Sequence, residues 1–251
     1  KDITMFYIAR TNSGIISRMI ELDLQGRRYN LTRPVYSIFA LPLLLLRLNK
    51  TPDSEIRELE FKFLEADMKE WMTNPDVRKT NESPLAYILS QHSDDTNISS
   101  AMNLLRKFSP WQIIQTYQNA KSHEKSSTTY KITITSAHSS KGLQADIVQI
   151  EPDLNEALHK VIEKQQNAAK ERIKADKEIY GSKFEFKYER HALFNLVEPD
   201  MSLLSKDAIE EFRLYYVAIT RAKFQLQHAE WLTSQEVLTT TISMIHSRGN
   251  F

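Results

Sequence analysis

YKITITSAHSSKGLQADIVQI, Tyr130–Ile150, is the stretch on which the reading of this chain turns. Ile132 and Ile134 alternate with threonines, the period of two that marks a strand. DIVQI, at the other end, is an apolar run of strand type. Between them, short polar residues lead into a Gly-bearing turn at Lys141 and Gly142. A strand that delivers Ser136, His138 and Lys141 into such a turn puts a hydroxyl, an imidazole and an ammonium at the carboxyl end of a parallel sheet, where ligands of open α/β folds bind. A nucleotide or a phosphate backbone suits those donors. A plain polar connection, with His138 satisfied locally, suits the same residues.

Upstream, Ile3 to Ile8 is a nearly continuous apolar run, the pattern of a strand buried on both faces. The next segment, Ser13 to Gln25, reads as a helix ended by Gly26. Strand followed by helix is the α/β unit. From Val35 to Gln118 the pattern is helical, and SPLAYIL (Ser83–Leu89) and SAMNLLRKF (Ser100–Phe108) each open on a serine suited to cap a first turn. The most apolar run, IFALPLLLL (Ile38–Leu46), is interrupted by Pro42 and is far short of the roughly 20 residues that span a membrane; it reads as a buried helix. Trp71 and Trp111 lie in this region and could stack on bases, but their apolar neighbours favour core packing. A polar turn, HEKSST (His123–Thr128), precedes the return of strand alternation. Beyond Ile150, Asn155–Tyr180 is charge-rich, with Leu158, Ile162, Ala169 and Ile173 at near-helical spacing, and reads as a long exposed helix.

Composition narrows the classes. The chain has 251 residues and 41% hydrophobic content, enough for a packed core and too much for a disordered tail. Lys+Arg 33 against Asp+Glu 32 leaves no global positive field, so a nucleic-acid partner would need a local groove. With no cysteines there is neither a disulfide nor a thiolate metal site, which suits a reducing intracellular compartment, the nucleus if the source is eukaryotic. Nothing implies a resident metal or a membrane. The chain opens on Lys1 and enters a strand at once, as a piece cut from something longer would.

EEFRLYYVAITRAK, Glu210–Lys223, carries the second signal. Leu214, Val217 and Ala218 fall at helical spacing, and Phe212, Tyr215, Tyr216 and Ile219 widen the apolar band, as in any core-facing helix started by its acidic pair. Arg221, at the end of that rigid element, could equally reach a polyphosphate with several fixed donors.

ARTN (Ala9–Asn12), SAHSSKGLQ (Ser136–Gln144) and EEFRLYYVAITRAK together, in this order, resemble three motifs of the second RecA-like domain of UvrD-like superfamily 1 helicases. The last is highly specific and the second nearly so. They bracket Ala9 to Lys223, and the helical insert between them, smaller than in the largest members, together with ARTN is somewhat similar to the F-box DNA helicase branch. The resemblance implies an α/β fold: a RecA-like, mostly parallel sheet with helices on both faces and an all-helical inserted subdomain. It implies a discontinuous motor domain, residues 1–34 and 119–251 with a charged helical excursion near 155–200, and an insert over 35–118.

The resemblance also implies roles. Arg221 would be an arginine finger reaching the γ-phosphate of ATP bound on the other RecA-like domain. Lys141, Gly142 and Gln144 would face the nucleotide, and Ser136, His138, Arg10 and Asn12 would face single-stranded DNA. Two departures stand out. Gln144 replaces the family's usual Glu, which accepts from the nucleotide sugar, and so keeps an acceptor but loses a charge; Ser136 stands where Thr is common. No G-x-x-x-x-G-K-[ST] occurs, and five glycines leave no phosphate cradle. ATP with Mg²⁺ would therefore be held mainly by an N-terminal RecA-like domain of the same protein. The expectation is the C-terminal half of an ATP-dependent DNA helicase that cannot hydrolyse ATP alone. The alternative is a RecA-like interaction or nucleic-acid-binding module that has lost motor function, for which Gln144 is the best support.

Overall fold

The structure, a computed structural model, describes residues 3–48, 64–124, 128–180 and 205–229. Residues 125–127 of the polar turn and 181–200 of the charged excursion lie outside these. A five-stranded parallel sheet runs in the order β2-β3-β1-β4-β5, with β1 at Met5–Ala9, β2 at Asn30–Leu31, β3 at Ile132–Ser136, β4 at Ala145–Ile150 and β5 at Ala222–Gln227. The parallel α/β class expected from the sequence is therefore present. By its contacts the chain forms two compact units, Lys1–Arg10 with Thr135–Phe251, and Thr11–Ile134, so β3 passes from one into the other.

The first unit is built on β1, β4 and β5, with the last two described helices of the chain, α8 (Pro152–Tyr180) and α9 (Lys206–Ile219). Register is parallel, Met5 opposite Ile147 and Ile8 opposite Ile150. Thr4 fixes that register by donating its N–H and hydroxyl to the Asp146 carboxylate at 2.8 and 2.9 Å. Ile8, Val148 and Ile150 are fully buried against Leu154 and Leu158 of α8 and Phe212, Tyr215 and Ala218 of α9. α8 confirms the long helix read from Asn155–Tyr180, although the side chains of Ala169 and Ile173 lie outside those described. Asn155, 2% exposed, joins three elements: its Oδ1 accepts from the Tyr215 hydroxyl and its Nδ2 donates to the His228 carbonyl, each at 2.9 Å.

β5 was not foreseen, although AKFQLQ carries the alternation that marks a strand. Between the pairs Ala145–Ala222 and Ile147–Gln225 the β5 strand holds one residue more than β4, a bulge that accompanies an 80%-exposed Phe224.

The second unit holds helices α1 (Asn12–Leu24), α2 (Val35–Leu48), α3 (Glu65–Thr73), α4 (Pro75–Thr80), α5 (Pro84–Gln91), α6 (Thr96–Lys107) and α7 (Pro110–Glu124). α1 ends as read: Gly26 takes φ 65 and the Arg27 N–H returns to the Leu22 carbonyl at 2.9 Å. The run with Pro42 is the buried helix α2, whose Leu44, Leu45 and Leu48 pack with Met68, Trp71, Tyr87 and Ile88. Ser83 caps α5 as expected, but Ser100 caps nothing. α6 starts earlier because the Asp95 carboxylate accepts from Asn97 and Ile98 N–H, and a carboxylate also complements the helix dipole. Trp71 is core, whereas Trp111 is 68% exposed. The buried stripe of α7 is Ile113, Thr116 and Ala120, and Trp111 falls off it. Among the described residues no helix is long and apolar enough to cross a membrane.

Asn155→Leu should remove both bonds that join α8 to α9 and to the end of β5, lowering stability by about 1–3 kcal/mol. Urea unfolding would show a lower midpoint at constant slope. A midpoint equal to the parent's would mean the two bonds do not hold these elements together.

Candidate nucleotide and nucleic-acid faces

Chain direction sorts the candidate residues into two groups. Arg10 follows β1, and Ala137 and His138 follow β3, so these lie at the carboxyl ends of the strands. The Ala137 N–H bonds the Ala9 carbonyl at 3.0 Å, joining the two ends. Gln144 precedes β4 and Arg221 precedes β5, and the Ala145 N–H bonds the Arg221 carbonyl at 3.1 Å. The single ligand edge expected for Ser136 through Lys141 is thus divided. Because β4 runs parallel to β3, the chain must return to the opposite edge before β4 can start, and Lys141, Gly142 and Gln144 go with it.

At the amino-terminal edge, Arg221 sits in the turn between α9 and β5. Its Nε donates to the Val217 carbonyl at 2.8 Å, Nη2 to the Thr220 hydroxyl at 2.9 Å and Nη1 to the Leu143 carbonyl at 3.3 Å. Its cation thereby rests on the carbonyl end of α9, where the helix dipole favours positive charge. Among the described residues three of the five guanidinium donors are used, and two remain for a ligand. The bond to Leu143 brings Arg221 to the Lys141–Gly142–Gln144 turn, whose residues are exposed. Lys223 adds a further exposed cation. Gly142 holds φ +81 with nothing near the position a Cβ would take, so its requirement is conformational and not steric.

At the carboxyl edge, the Ser136 hydroxyl donates to that of Ser139 at 3.0 Å and accepts the Ser139 N–H at 3.2 Å, so it stabilises its own turn. His138 is exposed, with Nε2 4.0 Å from Glu210 Oε1. Arg10 is held twice. Its N–H donates to Asp153 Oδ1 at 3.0 Å, and its Nε and Nη2 grip the Glu211 carboxylate at 2.6–3.0 Å. That hydrogen bond, against the opposing effect of burial, raises the Arg10 pKa above its ordinary value. The acidic pair does not start α9, as the sequence reading had it; Ser205 caps the helix, and Glu210 and Glu211 lie a turn further on, facing His138 and Arg10. Glu211 and Asp153 are the residues that sequence reasoning missed, since each meets Arg10 across a long stretch of chain and no local pattern marks the pairing.

Asn12 opens α1 in the other unit, where its carbonyl accepts from Arg33 Nη1 at 3.0 Å and its amide donates to the Ser37 carbonyl at 3.4 Å. It lines a cavity of about 440 Å³ with Arg33, Ser37 and Ser100.

The exposed cations at Lys141 and Lys223 and the half-buried one at Arg221, with an open glycine backbone, suit the outer end of a polyphosphate. Among the described residues no three His, Asp or Glu side chains are grouped to hold a metal ion. Gly142→Ala should lower stability by about 1–2 kcal/mol through backbone strain alone, and thermal unfolding checks it. A cost near zero would mean the turn tolerates a different backbone.

The family model for the UvrD-like helicase C-terminal domain matches residues 87–229, more than half of the chain. No curated protein matches it. The match includes Ser136, His138, Lys141, Gly142, Gln144 and Arg221, and Arg10 and Asn12 precede it. The parallel α/β sheet agrees with that match, and the chain belongs to the family of UvrD-like helicase C-terminal domains.

Proposed function

We propose that this chain is the second motor domain of an ATP-dependent translocase on single-stranded DNA. The observation that carries the reading is the contact between Arg221 and the Leu143 carbonyl, which gathers the finger and the Lys141–Gln144 turn at one edge of the sheet. Arg221 would stabilise charge that develops on the transferred phosphoryl group, a contact worth about 10³–10⁵ in rate in other nucleotide hydrolases. Lys141 would add a point charge, and the Gln144 carbonyl would accept from the nucleotide sugar. The phosphate loop and the magnesium ligands would come from an N-terminal RecA-like domain, because the sequence has no phosphate loop and the described residues hold no group of three acidic or histidine ligands. Ser136, His138, Arg10 and Asn12 would line the strand track, with contacts mainly to phosphate and sugar and hence no sequence selectivity.

Gln144 favours a second reading, a RecA-like module that binds nucleic acid or a partner without ATP turnover. In the full-length protein Arg221→Ala should abolish strand-stimulated hydrolysis with strand binding nearly intact, and Arg221→Lys should fail almost as badly because an ammonium lacks the planar fork. Because Arg221 also caps α9, melting temperature is measured on the same preparations. Normal turnover by Arg221→Ala removes the finger role, and a full-length protein without ATPase activity supports the second reading.

The isolated chain should show negligible hydrolysis and should bind single strands weakly, with affinity falling steeply as salt rises. Robust turnover by the pure chain would contradict the half-site.

A further inference from the structure

Arg10 and Glu211 are 201 positions apart, yet Nε and Nη2 of the one meet both oxygens of the other. The Glu211 side chain is 13% exposed and that of Arg10 29%. A surface ion pair of long side chains is usually loose, but this one is a two-edged fork against a largely buried carboxylate, and such a fork fixes direction as well as distance. Among the described residues Nη1 has no hydrogen-bond partner, which leaves the outer edge of the guanidinium open. The backbone of Arg10 is fixed independently by Asp153 in the first turn of α8.

Glu211 also belongs to α9, and roughly 15 Å along that helix axis lies Arg221. The helix between them is anchored by buried Phe212, Leu214, Tyr215 and Ala218, so it moves as one body. A group that touches a strand at the end of β1 is thus bolted to the element that carries the proposed finger.

We infer that Glu211 is a positioning residue that aims the free edge of Arg10 at a strand phosphate and, through α9, transmits strand occupancy to Arg221. This deepens the reading given under Proposed function and rests on it. The inference opposes simple electrostatics. Removing a carboxylate beside a strand track should tighten strand binding, whereas removing a positioning group should uncouple the strand from turnover.

The test uses the full-length protein with ATP and an oligothymidylate. Glu211→Ala should lower strand-stimulated kcat by about tenfold, within the range reported for coupling residues, while KM for ATP changes little. Glu211→Gln, which keeps one carbonyl acceptor, should fall between. Arg10→Ala should show the same kcat loss and also a smaller salt slope of strand binding. The exchanged pair, Arg10→Glu with Glu211→Arg, should recover part of the kcat lost in either single variant, a rescue that general unfolding does not give. Full stimulation in Glu211→Ala, or no recovery in the exchanged pair when it melts like the parent, overturns the inference. Arg221→Ala is run beside them. If it hydrolyses ATP normally the finger reading fails, and if it is dead while Glu211→Ala is normal, only the positioning role fails.

Discussion

The connection from β3 to β4 has only Ala137 to Gln144 in which to pass from the carboxyl end of one strand to the amino end of a parallel strand two places away. A helical crossover needs at least about 10–12 residues, so no helix fits. The segment must lie close to the sheet, and its residues are small where it does so: Ala137 and Ser140 are fully buried. Each buried polar group is answered locally, with the Ser140 hydroxyl donating to the Ala137 carbonyl at 2.8 Å and the Ser140 N–H to the Ser136 carbonyl at 2.9 Å. The exposed residues are those left at the two ends, His138 near the start and Lys141 to Gln144 near the finish. One short crossing therefore supplies both candidate faces.

α9 runs against the strands and makes the same division. Its first half meets the carboxyl edge through Glu210 and Glu211, and its end meets the amino edge through Arg221. Charge follows position. Lys141, Arg221 and Lys223 stand at the strand starts of the amino edge, whereas at the carboxyl edge Asp153 and Glu211 hold Arg10 and Glu210 faces His138. The near-neutral total hides this separation, and a sum of charges says little about which edge would draw an anion.

This arrangement also explains what the sequence could show. β1, β3 and β4 were legible because their apolar period is local, and the buried helix at Pro42 was legible because its composition is extreme. The turn at Gly142 and the end of α1 at Gly26 were legible because only a few residue types adopt those backbones. β2 is two residues long and carries no period at all. The start of α6 was misplaced because two capping residues stood close together, and a carboxylate that accepts two N–H groups outranks a hydroxyl further along. The individual site residues could be nominated, but not their partition between edges, which depends on strand order, nor the Glu211–Arg10 pair, which depends on where two distant segments meet.

The pairing also changes what Arg10 can do. A free arginine on a groove wall samples many rotamers, and ordering it on binding costs entropy. With Glu211 holding one edge, that cost has been met in folding, and a phosphate, if it is the ligand proposed above, would need to meet only the outer edge. The neighbouring carboxylates would oppose a phosphate at the same time, so the proposed contact would be directional without being tight. That regime would suit the proposed motor, in which Arg10 would release and regrip a strand in each cycle, because deep binding would make every step slow to leave.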